Sequence, residues 1–142
     1  MTHSEIISAL QQFWTAVGPS SVPCVFPGTS INVSSATTWI EFWVSQLIEQ
    51  PQRPASPQQQ LLAIDIHVFS KSQNKRDINV LSDSIVAALR SAIVSVSSSQ
   101  QPGTLRLKEA ILRDLTRPEN VGSAVALQHW LISIPAEAIA TL

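Results

Sequence analysis

Charge is scarce in this chain: Asp, Glu, Lys and Arg together make up 13% of the 142 residues, against roughly a quarter in an ordinary soluble domain. There is one cysteine, Cys24, so neither an internal disulfide nor a thiolate metal cluster can form. Four glycines are too few and too scattered for a phosphate-cradling loop. No apolar run approaches the length needed to span a bilayer, and the start, MTHSEIISALQQFW, has no basic leader or long apolar stretch. Synthesis and folding in a cytoplasm are expected. The net charge of −1 provides no basic field for nucleic acid, so no sequence-specific nucleic-acid binding and no membrane association are expected.

Hydrophobic residues make up 44% of the chain, which excludes a disordered tail and suffices for a core at this length. A domain that is apolar and poor in charge is suited to hiding part of its surface in an assembly, although Ser and Gln also solvate many positions. The few charges are unevenly placed. All nine Lys and Arg lie from Arg53 onward, and the residues before it carry only Glu5, Glu41 and Glu49.

The patterning predicts one α+β domain over residues 1–142, with elements in the order α-β-β-β-α-β-β. A mostly antiparallel sheet of four or five strands is expected to pack against two helices. The first helix spans residues 2–17: Thr2 and Glu5 form a capping-box pattern, and Ile6, Leu10, Phe13, Trp14 and Val17 recur at helical spacing before Gly18-Pro19. Val22–Phe26 contains Pro23 and reads as an edge strand or arm. Thr37–Ile48 reads as a strand with Ile40, Phe42 and Val44 on one face and Trp39, Glu41, Trp43 and Ser45 on the other. The QPQRPASPQQQ segment at about residues 50–60 is expected to be an exposed, semi-rigid loop. Leu61–Phe69 reads as the next strand, and Asp77 is the expected N-cap of a helix whose stripe of Ile78, Leu81, Ile85, Leu89 and Ile93 runs to about Val96. Leu105–Thr116 fits strand and helix equally and is assigned as strand. Its partner is Val125–Ile134, ended by Pro135.

No catalytic, cofactor or metal site emerges from the residue spacing, and the chain is not expected to be an enzyme. Asp65 and His67 lie two apart on one strand face, which fits an ordinary polar face or a local hydrogen bond better than a metal pair lacking further ligands. His129 alternates with Leu127 and Leu131 as a half-buried histidine would. Cys24 has no positive neighbour to activate it. Trp39 and Trp43 are candidate contact residues, because indoles on the second face of a strand call for a covering helix or a neighbouring subunit. Lys71, Lys75 and Arg76 form a small basic loop, readable as solvated or as an intersubunit patch.

The order of these segments and the stretches VPCVFPG, TTWIEFWVSQL, LLAIDIHVFSK and NVLSDSIVAALRSAI resemble the tail terminator (tail completion) proteins of tailed bacteriophages. The resemblance covers nearly the whole chain and rests on pattern rather than on signature residues. It implies a structural virion subunit that forms a homo-hexameric ring, caps the tail tube, stops its polymerisation and meets the head-tail connector or neck protein. The expected partners are thus other copies of the chain, the tail tube protein and the neck protein, with the tail/neck region of the virion as location and no cofactor. A head-tail joining protein of the same virion is the alternative within that class. A small-ligand-binding domain built around Asp65, His67 and His129 is the alternative outside it.

Overall fold

The computed structural model describes residues 1–49, 58–72, 74–116 and 127–141. Most of the Pro/Gln segment expected as an exposed loop lies outside these residues, as does the turn expected around Arg117–Gly122. The elements are α1 (His3–Val17), β1 (Cys24–Val25), β2 (Thr38–Glu49), β3 (Gln59–Ser70), α2 (Lys75–Leu89), β4 (Ile93–Val96), β5 (Gly103–Leu107), β6 (Ile111–Asp114) and β7 (Gln128–Ala140). The class is α+β, and the first five elements follow the expected order.

The sheet departs from expectation. Among the described residues it has seven strands instead of four or five, in the spatial order β1-β2-β3-β7-β5-β4, with β6 also paired to β7. It is mixed where a mostly antiparallel sheet was expected, because β1 runs parallel to β2. That pairing follows from the chain's path: Ile40 N–H donates to the Pro23 carbonyl at 2.9 Å, so the proline-bearing arm returns alongside β2 and covers only its first few residues.

Both helices pack on one face of the sheet. β3 alternates strictly, with Leu62, Ile64, Ile66 and Val68 buried beside Ile40 and Phe42 of β2 and Ile132 and Ile134 of β7. Ile6, Leu10 and Trp14 of α1 and Ile78, Ile85 and Leu89 of α2 close over that face in one continuous core. The capping box of α1 is formed: Glu5 N–H donates to Thr2 Oγ1 and Thr2 N–H to Glu5 Oε2.

Three boundaries need correction. The N-cap of α2 is Asn74, whose side chain accepts from the Arg76 N–H at 3.1 Å; Asp77 instead accepts from Ser72 Oγ within the first turn. The helix stops at Leu89 rather than near Val96, because Ser91 adopts φ 53° and turns the chain into β4. There Val94 and Val96 are buried and Ile93 is exposed, a two-residue alternation of β-branched side chains that replaces the expected helical stripe.

The third correction concerns residues 105–116 and Pro135. The expected single strand is two, β5 opposite Ala136–Ala140 and β6 opposite Trp130–Ser133. β7 does not end at Pro135 but runs through it to Ala140. The Pro135 carbonyl accepts from Lys108 N–H, and a strand residue points its N and its C=O to the same side. The missing proline N–H therefore falls at the gap where β7 changes neighbour from β6 to β5, and no ladder bond to β3 is lost.

Candidate functional site

The opposite face of the sheet carries neither helix, and the register arranges its side chains in rows that run across the strands. Trp39 pairs with Phe69 and Phe69 with His129. Glu41, His67, Leu131 and Arg113 make the next row, and Trp43, Asp65, Ser133 and Ile111 the one after. The two-residue period of β2, β3 and β7 is what lines these residues up on one side.

The first row is a stacked aromatic ladder. The Trp39 and Phe69 rings lie 5.1 Å apart and Phe69 and His129 4.4 Å apart, each close to parallel. Lys71 Nζ sits 5.6 Å from the Trp39 ring and donates to the Ser34 carbonyl at 3.0 Å. Trp39 Nε1 donates to Glu41 Oε1. Between Phe69 and Lys71, Trp39 is only 9% exposed, whereas Trp43 is 58% exposed. The two tryptophans share a face as expected, but one is sealed within the subunit and the other is offered to solvent.

The three basic residues are not one loop. Lys71 is laid over Trp39, while Lys75 and Arg76 form the first turn of α2, exposed at the helix end where a cation gains nothing from the dipole.

The histidines are assembled in a way the sequence did not disclose. His67 Nδ1 and His129 Nε2 are 2.7 Å apart. Asp65 instead accepts from Ser133 Oγ at 2.6 Å. His129 is held below its usual pKa, first by burial and then by the neighbouring His67, with Glu41 and Asp114 opposing. The two-residue period places Asp65, His67 and Phe69 on one strand face and the spacing around His129 marks it as half-buried; the meeting of His67 with His129 depends on β7 lying next to β3. Among the described residues no group of three or more His, Cys, Asp and Glu side chains is placed to hold a metal ion. The Cys24 thiol is pushed up to about 12 by burial, far from a reactive thiolate at neutral pH.

Beside Trp43 lies a cavity of about 320 Å³, lined by Glu41, Phe42 and the Val25–Thr29 turn. Gly28 takes φ +81° at that turn, a left-handed conformation that favours glycine, and Thr29 Oγ1 closes it by donating to the Phe26 carbonyl. Beyond Glu41, no strand among the described residues pairs with β2 on its β1 side. At the other end of the rows, β6 likewise has β7 as its strand neighbour on one side only among the described residues, with all four of its residues exposed. No helix of the described chain is long and apolar enough to cross a membrane.

No protein-family description and no curated protein matches this sequence. A solved structure whose name specifies no activity or partner superposes with a TM-score of 0.64 at 11% identity, over 100% of this chain and 97% of the other; that likeness is one of fold.

Proposed function

We propose that this chain is a ring-forming structural subunit of a tailed-bacteriophage virion, acting as the tail terminator that caps the tail tube, ends its polymerisation and presents a surface to the neck. The observation that carries the reading is the helix-free sheet face. It exposes Trp43 (58%), Ile111 (58%) and Ile93 (65%) in a chain with only 13% charged residues. Aromatic residues are enriched in protein interfaces, and Trp is among their usual anchors. The resemblance of the strand and helix stretches to tail terminators supplies the kind of assembly. A cyclic ring needs a heterologous contact, in which one patch on each subunit meets a different patch on the next. The tube protein and the neck protein would then meet the two rims of the ring.

The function is tested by adding the purified chain to the tail tube protein of the same virion while tubes are growing. The expected result is arrest of elongation, with rings at tube ends in negative-stain images. Tubes that grow to the same length with and without the chain would overturn the reading.

A further inference from the structure

Going beyond the ring reading but resting on it, we infer that the proline-bearing arm between β2 and β3 of one copy docks in the groove beside Trp43 of the next, with Arg53 paired to Glu41. The groove is the cavity of about 320 Å³ between β2 and the Val25–Thr29 turn, near the lower end of the size range of pockets that take a small ligand. Trp43, exposed to solvent, and Pro27 line it together with the buried Phe26 and Phe42 rings, which stack 4.6 Å apart. Glu41 is its one charged lining residue. The Glu41 carboxylate accepts from Trp39 Nε1 and has no ion-pair partner among the described residues.

The occupant follows from the sequence of the arm. In QPQRPASP, Pro51, Pro54 and Pro57 recur at every third residue. Three residues make one turn of a polyproline II helix, so in that conformation the three rings share one edge, about 9 Å apart. Proline lacks the N–H that a sheet ladder needs, so such a segment is unsuited to strand addition along β2. An aromatic-lined groove is the surface that takes a proline ridge. Arg53 is the one charged residue from Gln50 to Gln60. With Pro54 seated against Trp43, its guanidinium is placed to meet the one carboxylate of the groove.

The length of the arm requires that the groove belong to another copy. Gln58 is seven residues from Asp65, the partner of Trp43, or about 23 Å along an extended chain. Pro54, four residues before Gln58, can stand at most about 14 Å from it. On the other side, the stretch from Trp43 to Glu49 lies opposite Asp65 to Gln60, about 17 Å, and Pro51 reaches back from Glu49 by at most about 7 Å. Pro57 adjoins Gln58, so all three prolines stop about 9 Å or more short of the groove in their own subunit. An arm on one copy and a groove on the next are two different patches, the heterologous contact that a closed ring needs.

Complementation between two variants tests the contact, with mass read by light scattering. Pro51, Pro54 and Pro57 changed together to Ser leave a groove without a docking arm, and Trp43→Lys leaves an arm without its groove. Each variant alone should be monomeric where the parent is a ring. Their equimolar mixture should give a 1:1 dimer, because one contact remains and no ring can close. A proline variant that assembles as the parent does, or a mixture that stays monomeric, would overturn the docking and leave the ring reading standing. A parent that is monomeric at every concentration would remove both. A second measurement does not depend on the folding of either variant. A labelled Gln50–Gln60 peptide should bind the dissociated parent chain, and the same peptide with its three prolines changed to Ser at least about tenfold more weakly, the loss of an interface anchor. Equal binding of the two peptides, or binding of neither, would overturn the docking.

Discussion

Trp43→Ala separates assembly from folding. A fully covered indole buries up to about 250 Å². With Trp43 58% exposed, roughly 145 Å² is available to a neighbouring copy, worth at most about 3.6 kcal/mol at ~25 cal/mol per Å². A buried aromatic contact at an interface is worth at least about 2 kcal/mol where it anchors binding. The dissociation constant of one intersubunit contact should therefore rise between about 30-fold and 400-fold, since each 1.4 kcal/mol is about tenfold. The area Trp43 already covers within its own subunit, roughly 105 Å², limits the folding loss to about 2.6 kcal/mol, an upper bound because the unfolded chain is partly compact. Sedimentation velocity across a concentration series measures the first quantity and urea unfolding of the dissociated subunit the second. A variant that assembles within threefold of the parent would show that the helix-free face is not the contact, and the reasoning from exposure to assembly would fail.

Other outcomes follow from the same geometry. Gly103→Ala places a Cβ against the Ile139 carbonyl oxygen and close to Ala140 Cα; because both obstacles are backbone, β5 must move away from β7, and a loss of about 1–3 kcal/mol is expected in urea unfolding. Thr2→Ala removes the side-chain acceptor of the α1 capping box and should cost about 1 kcal/mol in the same assay. His129 has a folded pKa below its ordinary value of 6.5 because of burial and His67. The unfolded chain therefore takes up the proton first on acidification, and the stability lost sets in as pH falls through the ordinary value toward the folded one. His129→Gln should flatten the decline of the thermal midpoint over that window; an unchanged slope would assign it to other groups.

Local patterns disclosed much of this fold. The Thr2/Glu5 pair marked the start of α1, and the alternation in β2 and β3 identified the buried face down to Ile40, Phe42, Leu62, Ile64, Ile66 and Val68. Elements whose identity depends on tertiary neighbours were misread. Ile93 continues the spacing of α2, yet Ser91 turns the chain and a four-residue strand follows; nothing in the periodicity of so short a segment separates the two outcomes. Pro135 reads as a strand end unless the neighbouring strands are known to change there. The split between β5 and β6 reflects the same change of partner.

The candidate face was legible in part. Placing Trp39 and Trp43 on one side needed only the two-residue period. That Trp39 is sealed by Phe69 and Lys71 while Trp43 is exposed depends on which strands flank β2. The His67–His129 contact joins residues 62 positions apart through the β3–β7 register, which a single sequence does not specify. Lys75 and Arg76 changed from loop to helix because Asn74, with an amide side chain free to accept from the Arg76 N–H, starts α2 earlier than Asp77 would.

The central claim is that this chain closes into a ring. Light scattering of the purified protein over a wide concentration range, with negative-stain images of the same sample, tests it most directly. The account predicts a discrete species near six subunits, about 92 kDa from a 15.4 kDa chain, seen as closed rings. A mass of one subunit at every concentration, with no rings in the images, would contradict it.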